Sequence, residues 1–527
     1  MDKDSGNSMQ HEGEETEGSE SHKTLNEATS CMRLEDEEDA KDEPYPIWRG
    51  MGAYEEGEMD VVPPAGVVVV DPFCDYLGKA AVNMVEEAGY AAVQTVSEHL
   101  IDTIDDSGLN IFRVPSPGRE AEWAAELPFP IVAVLCESDA GLATAERLSS
   151  ALLGSRFGGV EEARRNKFLM NEAVRSKGLT AARQATTGDW GEAQAFIQSI
   201  LNTSSSSSDS GGNRGGQTQP GTCADVRGAI PVVVKPLRGC GSGGVCLCHG
   251  MEEAKKAFLE VLGAPKYGSP GEFNTEVLVQ EFLQGTEFVV DTVSREGEHK
   301  IMAIWRYDKR PVNGAPFVYF ATQLRAASGG EEQRVIEYAR KALDALGVKY
   351  GPTHTGVSWV GGGGSLYMLW LPLLGPVLVE VNTRWHLTEF APITLACVGY
   401  EAVSETLSAY LDPERFSSIP SEPLVLNKHG RVVHLVCHSA GTLKAVHHLE
   451  EIQKLESFAG LDVYPKFSAA GSAVDFTIDI RSDAGWVHLV HEDEGVVDMD
   501  YQKLVGLMPT MFEVVDLEGH EEDTGGG

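Results

Sequence analysis

Positive charge is scarce in this chain. Its 42 lysines and arginines stand against 80 aspartates and glutamates, for a formal net charge of -38. A nucleic-acid or anionic-membrane partner demands a basic face, so neither class is expected. Cysteine is sparse too: nine residues, spread without zinc spacing or a disulfide framework, point to a reduced, cytoplasmic protein. Cys246 and Cys248 form C-x-C on a predicted strand, where alternate side chains share a face. Metal binding there is open, but buried free thiols are the preferred reading. Long apolar runs are missing as well. The greasiest stretch, Leu366 to Val379, is broken by Pro372, Gly375 and Pro376 and is too short for a bilayer-crossing helix, so it reads as a pair of buried strands.

Also absent are the marks of the commoner nucleotide sites. A Walker loop carries its lysine after the glycines, and no such segment is found where glycines cluster. The H-R-D and D-F-G segments of protein kinases are missing. What is present is an apolar run, Ile230 to Val234, delivering Lys235, then Arg238, Gly239, Gly241, Ser242, Gly243 and Gly244, then a second apolar run from Val245 to Cys248. Gly239, Gly241 and Gly244 satisfy G-x-G-x-x-G, but the dinucleotide fingerprint must open a helix at once, and the residues that follow are β-like. A strand lysine beside a loop of exposed backbone N–H groups is a way to hold a polyphosphate: the cation offsets charge, and the missing side chains let the main chain approach. Taken alone, a glycine-rich surface hairpin beside a solvated lysine fits the same letters.

Other segments fall around this one in a definite order. Arg165-Asn166-Lys167 precedes a helical pattern through Phe168, Leu169, Ala173 and Val174. Val277 to Asp291 contains Gln280, Glu281, Phe282, Leu283 and Glu287; Val377 to Arg384 contains Glu380-x-Asn382 on an apolar strand. The order resembles the ATP-grasp superfamily. Trp305-Arg-Tyr-Asp308-Lys309 and Gly351-Pro-Thr-His354-Thr resemble its branch containing bacterial L-amino-acid ligases, which are carboxylate–amine ligases. The resemblance runs over about residues 65 to 515.

It implies ATP and Mg2+ (or Mn2+) as cofactors. Lys167 and Lys235 would grip the α- and β-phosphates, and Arg238 with Gly239, Gly241, Ser242, Gly243 and Gly244 would form a lid. Gln280, Glu281, Phe282 and Leu283 would read adenine, and Glu287 the ribose hydroxyls. Glu380 and Asn382, two apart on a strand and so on one face, would hold the metal. Arg384 and Lys235 would be catalytic, Arg384 stabilising charge on an acyl phosphate or tetrahedral adduct. His354, His386 and Tyr307 either line the substrate pocket or are hydrogen-bonded core residues. The expected reaction joins a small-molecule carboxylate to an amine, both drawn from amino acids, through an acyl phosphate, in a homodimer. The alternative is a catalytically impaired ATP-binding module of the same fold; a carboxylation or purine-pathway step is more distant.

The chain departs from the family pattern at Gly356, where relatives carry a metal-holding acid, and at Leu387-Thr388, where they carry a glycine pair. Loss of one acidic ligand weakens a hard-cation site; Glu389 is a candidate substitute.

The expected organisation is α/β and α+β multidomain: an ATP-grasp fold preceded by a small parallel α/β domain and followed by an α+β C-terminal region. Residues 1–62 read as an acidic disordered tail without a secretory signal. Residues 63–155 form the parallel domain, 156–410 the ATP-grasp domain with a flexible Ser/Gly-rich insertion at about 203–228, and 411–527 the C-terminal domain. Asp71, ending the first strand, either contacts substrate or caps the next helix. Val474 to Ile478 alternates like a strand.

Overall fold

The computed structural model describes residues 64–98, 100, 111–205, 231–269, 271–361 and 375–515. The acidic tail, the insertion from 206 on and the apolar stretch before Gly375 lie outside these residues. No helix among the described residues is long and apolar enough to cross a membrane.

Four strands open the chain: β1 (Gly66–Val70), β2 (Ala91–Val96), β3 (Ile111–Arg113) and β4 (Ile131–Cys136). They make a parallel sheet in the order β3-β2-β1-β4. Val67 to Val70 are fully buried, as a strand covered by helices on both faces must be. Those helices are Gly78–Glu87 and Leu142–Leu153, packed on opposite faces. Asp71 does not cap the next helix. It is buried with a positive φ of 56° and accepts from the backbone N–H and hydroxyl of Ser97 at 2.6 and 2.8 Å, and from Ser138. The helix start belongs to Glu137 instead, whose carboxylate accepts from the N–H groups of Phe73, Cys74 and Gly78.

The next four strands, β5 (Gln184–Thr187), β6 (Val232–Lys235), β7 (Cys246–Cys248) and β8 (Val277–Glu281), form an antiparallel sheet in the order β5-β8-β6-β7. Helices Trp190–Ser205 and Met251–Val261 cover one of its faces.

Then come β9 (Thr286–Arg295), β10 (Glu298–Val312), β11 (Ala315–Arg325), β12 (Gly351–Val360), β13 (Gly375–Asn382), β14 (His429–His434), β15 (Gly441–Val446), β16 (Phe458–Val463), β17 (Ala473–Val474), β18 (Gly485–His491) and β19 (Phe512–Val515). Eight of them build one antiparallel sheet, β13-β12-β9-β10-β11-β14-β18-β16, so the C-terminal strands extend the sheet that carries the candidate site. Helices Lys167–Ser176 and Gly330–Ala345 pack on one face of this sheet, and helices Ala391–Cys397 and Ala402–Leu411 on the other, the latter against β9 and β12; β12 is buried at every position. β17, β15 and β19 form a small separate sheet. The alternation at Val474 to Ile478 yields only the end of β17. Beyond it the hydroxyl of Thr477 accepts from the Cys437 N–H at 2.9 Å and fixes an irregular turn.

Candidate active site

A cavity of about 680 Å3 opens between the β5–β8 sheet and the eight-stranded sheet. Lys167, Lys235, Gly239 to Gly243, Gln280 to Glu287 and Glu380 all line it, so residues spread over more than two hundred positions share one space.

Asn166 caps the helix Lys167–Ser176, accepting from the N–H groups of Phe168 and Leu169 at 3.0 and 3.2 Å, so Lys167 starts the helix at a fixed place. Its backbone N–H donates to the Leu237 carbonyl at 2.9 Å, which ties it to the segment leaving β6. Its ammonium donates to the Gly239 carbonyl at 2.8 Å and pairs with Glu380 at 2.8 Å. Burial pulls the Lys167 pKa down, but Glu380 outweighs it and the net direction is up. The reciprocal holds for Glu380: burial alone raises it, and Lys167 holds it well below the usual carboxylate range.

Lys235 differs. It is 6% exposed, and no carboxylate is paired with it among the described residues. Burial, then the neighbouring Lys167, lower its pKa from 10.5 to about 8. The glycine loop that follows turns at Gly241 with a φ of +56°, and a Cβ there would stand 3.2 Å from Arg481 of the C-terminal region. Gly285 is forced by contact rather than by torsion: a Cβ would sit 2.1 Å from the Trp359 carbonyl, where the strand-to-strand connection crosses β12.

The residues expected to read adenine divide by direction. Glu281 accepts from Arg183 through both backbone and side chain at 2.7 Å, so its carboxylate is engaged away from any base. Gln280 donates to Gln184 at 3.3 Å. Phe282 and Leu283 line the cavity, Phe282 beside the ring of Phe317. Glu287 accepts two hydrogen bonds of 2.8 Å from Lys309, whose ammonium also lies over the rings of Tyr307 and Tyr319.

Glu380 and Asn382 do share a face, with the Asn382 amide donating to Glu380 at 3.3 Å. Strand register sets Gly356 opposite Glu380 and His354 opposite Asn382. A Cβ on Gly356 would meet only ordinary contacts, 3.5 Å to Val379 and 3.8 Å to Glu380, and its φ is not left-handed. Space therefore does not require the glycine. Glu389 does not line the cavity, and burial, then the charge of Asp462, raise its pKa.

Four of the expected residues stand off the cavity wall. Arg238 pairs with Glu162 at 3.1 Å, and Gly244 and Asn382 are not among the lining residues, although their neighbours Gly243 and Glu380 are. Arg384 makes a two-pronged pair with Asp139, 3.0 and 2.7 Å, and donates to the Trp385 carbonyl at 2.8 Å. Its guanidinium thus faces the parallel domain. Asp139, Lys309 and Arg481 were not anticipated; Lys309 alone had a sequence signal, inside the Trp305–Lys309 segment.

Behind the cavity, His354 and His386 both face Asp291, and the Tyr307 hydroxyl lies 3.0 Å from His386 Nε2. Burial, then His354, lower the His386 pKa to about 3, against the opposing pull of Asp291.

The ATP-grasp domain family matches residues 228–368. The dapdiamide A synthase of Enterobacter agglomerans is 25% identical over 464 residues, covering 86% of this chain and 95% of that protein. The crystal structure of an L-amino acid ligase from Bacillus licheniformis superposes with a TM-score of 0.60 at 16% identity, over 86% of this chain and 99% of its own. An N5-carboxyaminoimidazole synthase from Aspergillus clavatus, solved with ADP, gives a TM-score of 0.55 at 13% identity, over 84% and 99%. At such identities the two structures speak for the fold. Residues 228–368 thus match the ATP-grasp domain family, and over most of its length the chain is similar to proteins of the L-amino-acid-ligase-like branch.

Proposed function

We propose that this chain is an ATP-dependent ligase joining a small-molecule carboxylate, an amino acid in the first instance, to an amine. One observation carries the reading: Lys235 is a buried cation, unpaired among the described residues, at the end of a strand inside the cavity. A buried charge without a partner is destabilising until an anion joins it, and a polyphosphate is the anion this superfamily takes.

In this reading Lys167 and Lys235 neutralise phosphate oxygens, and Gly239 to Gly244 fold over them to exclude water. Gln280 to Leu283 flank the base, and Glu287 shares its carboxylate between Lys309 and the ribose. A substrate carboxylate oxygen attacks the γ-phosphorus and ADP leaves. The amine nitrogen then attacks the acyl carbon and loses a proton as phosphate departs, giving the amide. Mg2+ or Mn2+, when bound, would offset charge on the transferred group. The donor set fits such an ion: Glu380 and Asn382 offer oxygen ligands, and Mg2+ takes the rest from phosphates and water. Arg384 would have to leave Asp139 to touch reacting atoms; where it stands, it braces the end of the strand bearing Glu380 and Asn382.

ADP release is the test, measured over a panel of paired amino acids. Release that needs both a carboxylate and an amine, and that vanishes in Lys235→Ala, supports the ligase. ATP binding without turnover anywhere in the panel favours the second reading, an ATP-binding module. That reading draws on Gly356, which leaves the metal site one acid short.

A further inference from the structure

We infer that Asp291, His354 and His386 form a second metal site, separate from the Glu380–Asn382 pair and suited to Zn2+ or a similar transition-metal ion. The three residues come from three elements. Asp291 on β9 and His354 on β12 face each other in register, and His386 reaches in from the loop after β13. His354 Nδ1 lies 3.3 Å from Asp291 Oδ1, and His386 Nδ1 lies 3.1 Å from Oδ2. One ligand atom from each residue falls within a 4.8 Å cluster. A tetrahedral ion with bonds of about 2.0 Å needs ligands about 3.3 Å apart; the two histidine–Asp291 separations, each to its own carboxylate oxygen, are close to that, and the full set, within 4.8 Å, has to draw in slightly around an ion.

The surroundings also suit a metal. Ligating groups are commonly fixed by outer partners, and here each of two has one. Trp305 donates to Asp291 at 2.6 Å, and Tyr307 sits at the far nitrogen of His386, 3.0 Å away. A cavity of about 40 Å3 touches Asp291 and His386, enough for a water as a further ligand. His354 lines the large cavity on the other side, so an ion here would stand at the wall of the candidate active site. Two imidazoles and one carboxylate favour zinc-like ions over Mg2+, which prefers an all-oxygen shell. The site does not depend on the ligase reading.

The test uses the full chain stripped with a chelator, then titrated with Zn2+ by calorimetry and with Co2+ by visible absorption. The wild type is expected to take up roughly one equivalent and to show the d–d bands of a nitrogen-ligated ion. Asp291→Asn and His386→Phe lose the bands, whereas Glu380→Gln keeps them. Tyr307→Phe removes only an outer partner and weakens the site about tenfold or more. Absence of bands in the wild type overturns the proposal, as does their survival in His386→Phe or their loss in Glu380→Gln alone. Should the ligand variants fail to fold by circular dichroism, the wild type decides. Paramagnetically shifted imidazole protons in its Co2+ form support the site, and their absence overturns it.

Discussion

Lys235 titrates against its own fold. Its folded pKa is lowered to about 8 from 10.5, so between those values the unfolded chain holds a proton that the folded chain has released. Stability of the nucleotide-free protein therefore rises across that window, by roughly 3 kcal/mol at most, and below it the penalty is present in full. ATP affinity should run the other way, weakening as pH passes 8 and the ammonium is lost. Chemical denaturation and nucleotide titration at neutral and alkaline pH check both signs. Lys235→Met should flatten the stability rise, stabilise the empty protein at neutral pH and bind ATP poorly. Gain of stability with loss of ligand is the mark of a functional rather than a structural lysine. Gly356 gives a second prediction. Because a side chain has room there, Gly356→Glu should fold with little loss of stability and increase Mg2+-dependent ADP release, by an amount read from initial rates. Unchanged rates with a folded variant would show that the metal site is not what limits turnover.

At the level of elements, the strand, loop and strand around Lys235 were readable because their evidence is local: β-branched residues, a lysine, glycines and a second apolar run within one short span. Glu380 and Asn382 were readable for the same reason, through the two-residue period of a strand. What constrains the loop was not. Arg481 is brought over Gly241 by the C-terminal region, held there by Asp479 at 3.2 and 2.9 Å, and no spacing in the sequence marks that contact. Likewise Lys309 meets Glu287 only because β10 bends back along β9. The lid thus carries a testable constraint. Gly241→Ala forces a Cβ into a left-handed position costing about 1–2 kcal/mol and presses on Arg481. Its expected signature is a drop in kcat of about tenfold to a hundredfold, from misplacement of the loop, beside a fall of only about a few degrees in melting temperature. A fall in stability without a fall in kcat would mean that the loop does not close over the reacting phosphates.

For the whole molecule, the Asp139–Arg384 pair is a buried ionic contact between the parallel domain and the segment that follows the strand bearing Glu380, beside the apolar packing of Trp385 on the same domain. The sequence displays Arg384 as part of a motif and hides its partner, which lies 245 positions away on the loop after β4. Only the packing of the two domains brings them together. The side chains are 6% and 8% exposed, so removing one leaves the other charged, buried and alone. Asp139→Ala should cost about 3–5 kcal/mol, whereas Asp139→Leu combined with Arg384→Met should cost much less, because no orphan charge remains. A double-mutant cycle in urea measures the difference, and additive losses would show that the two side chains do not act as a pair. The same variants separate bracing from chemistry. If Arg384 acts by holding the strand end, the folded double variant keeps measurable ADP release with a raised KM for ATP. If it acts on the reacting atoms, kcat collapses in every variant lacking the guanidinium, whatever the stability.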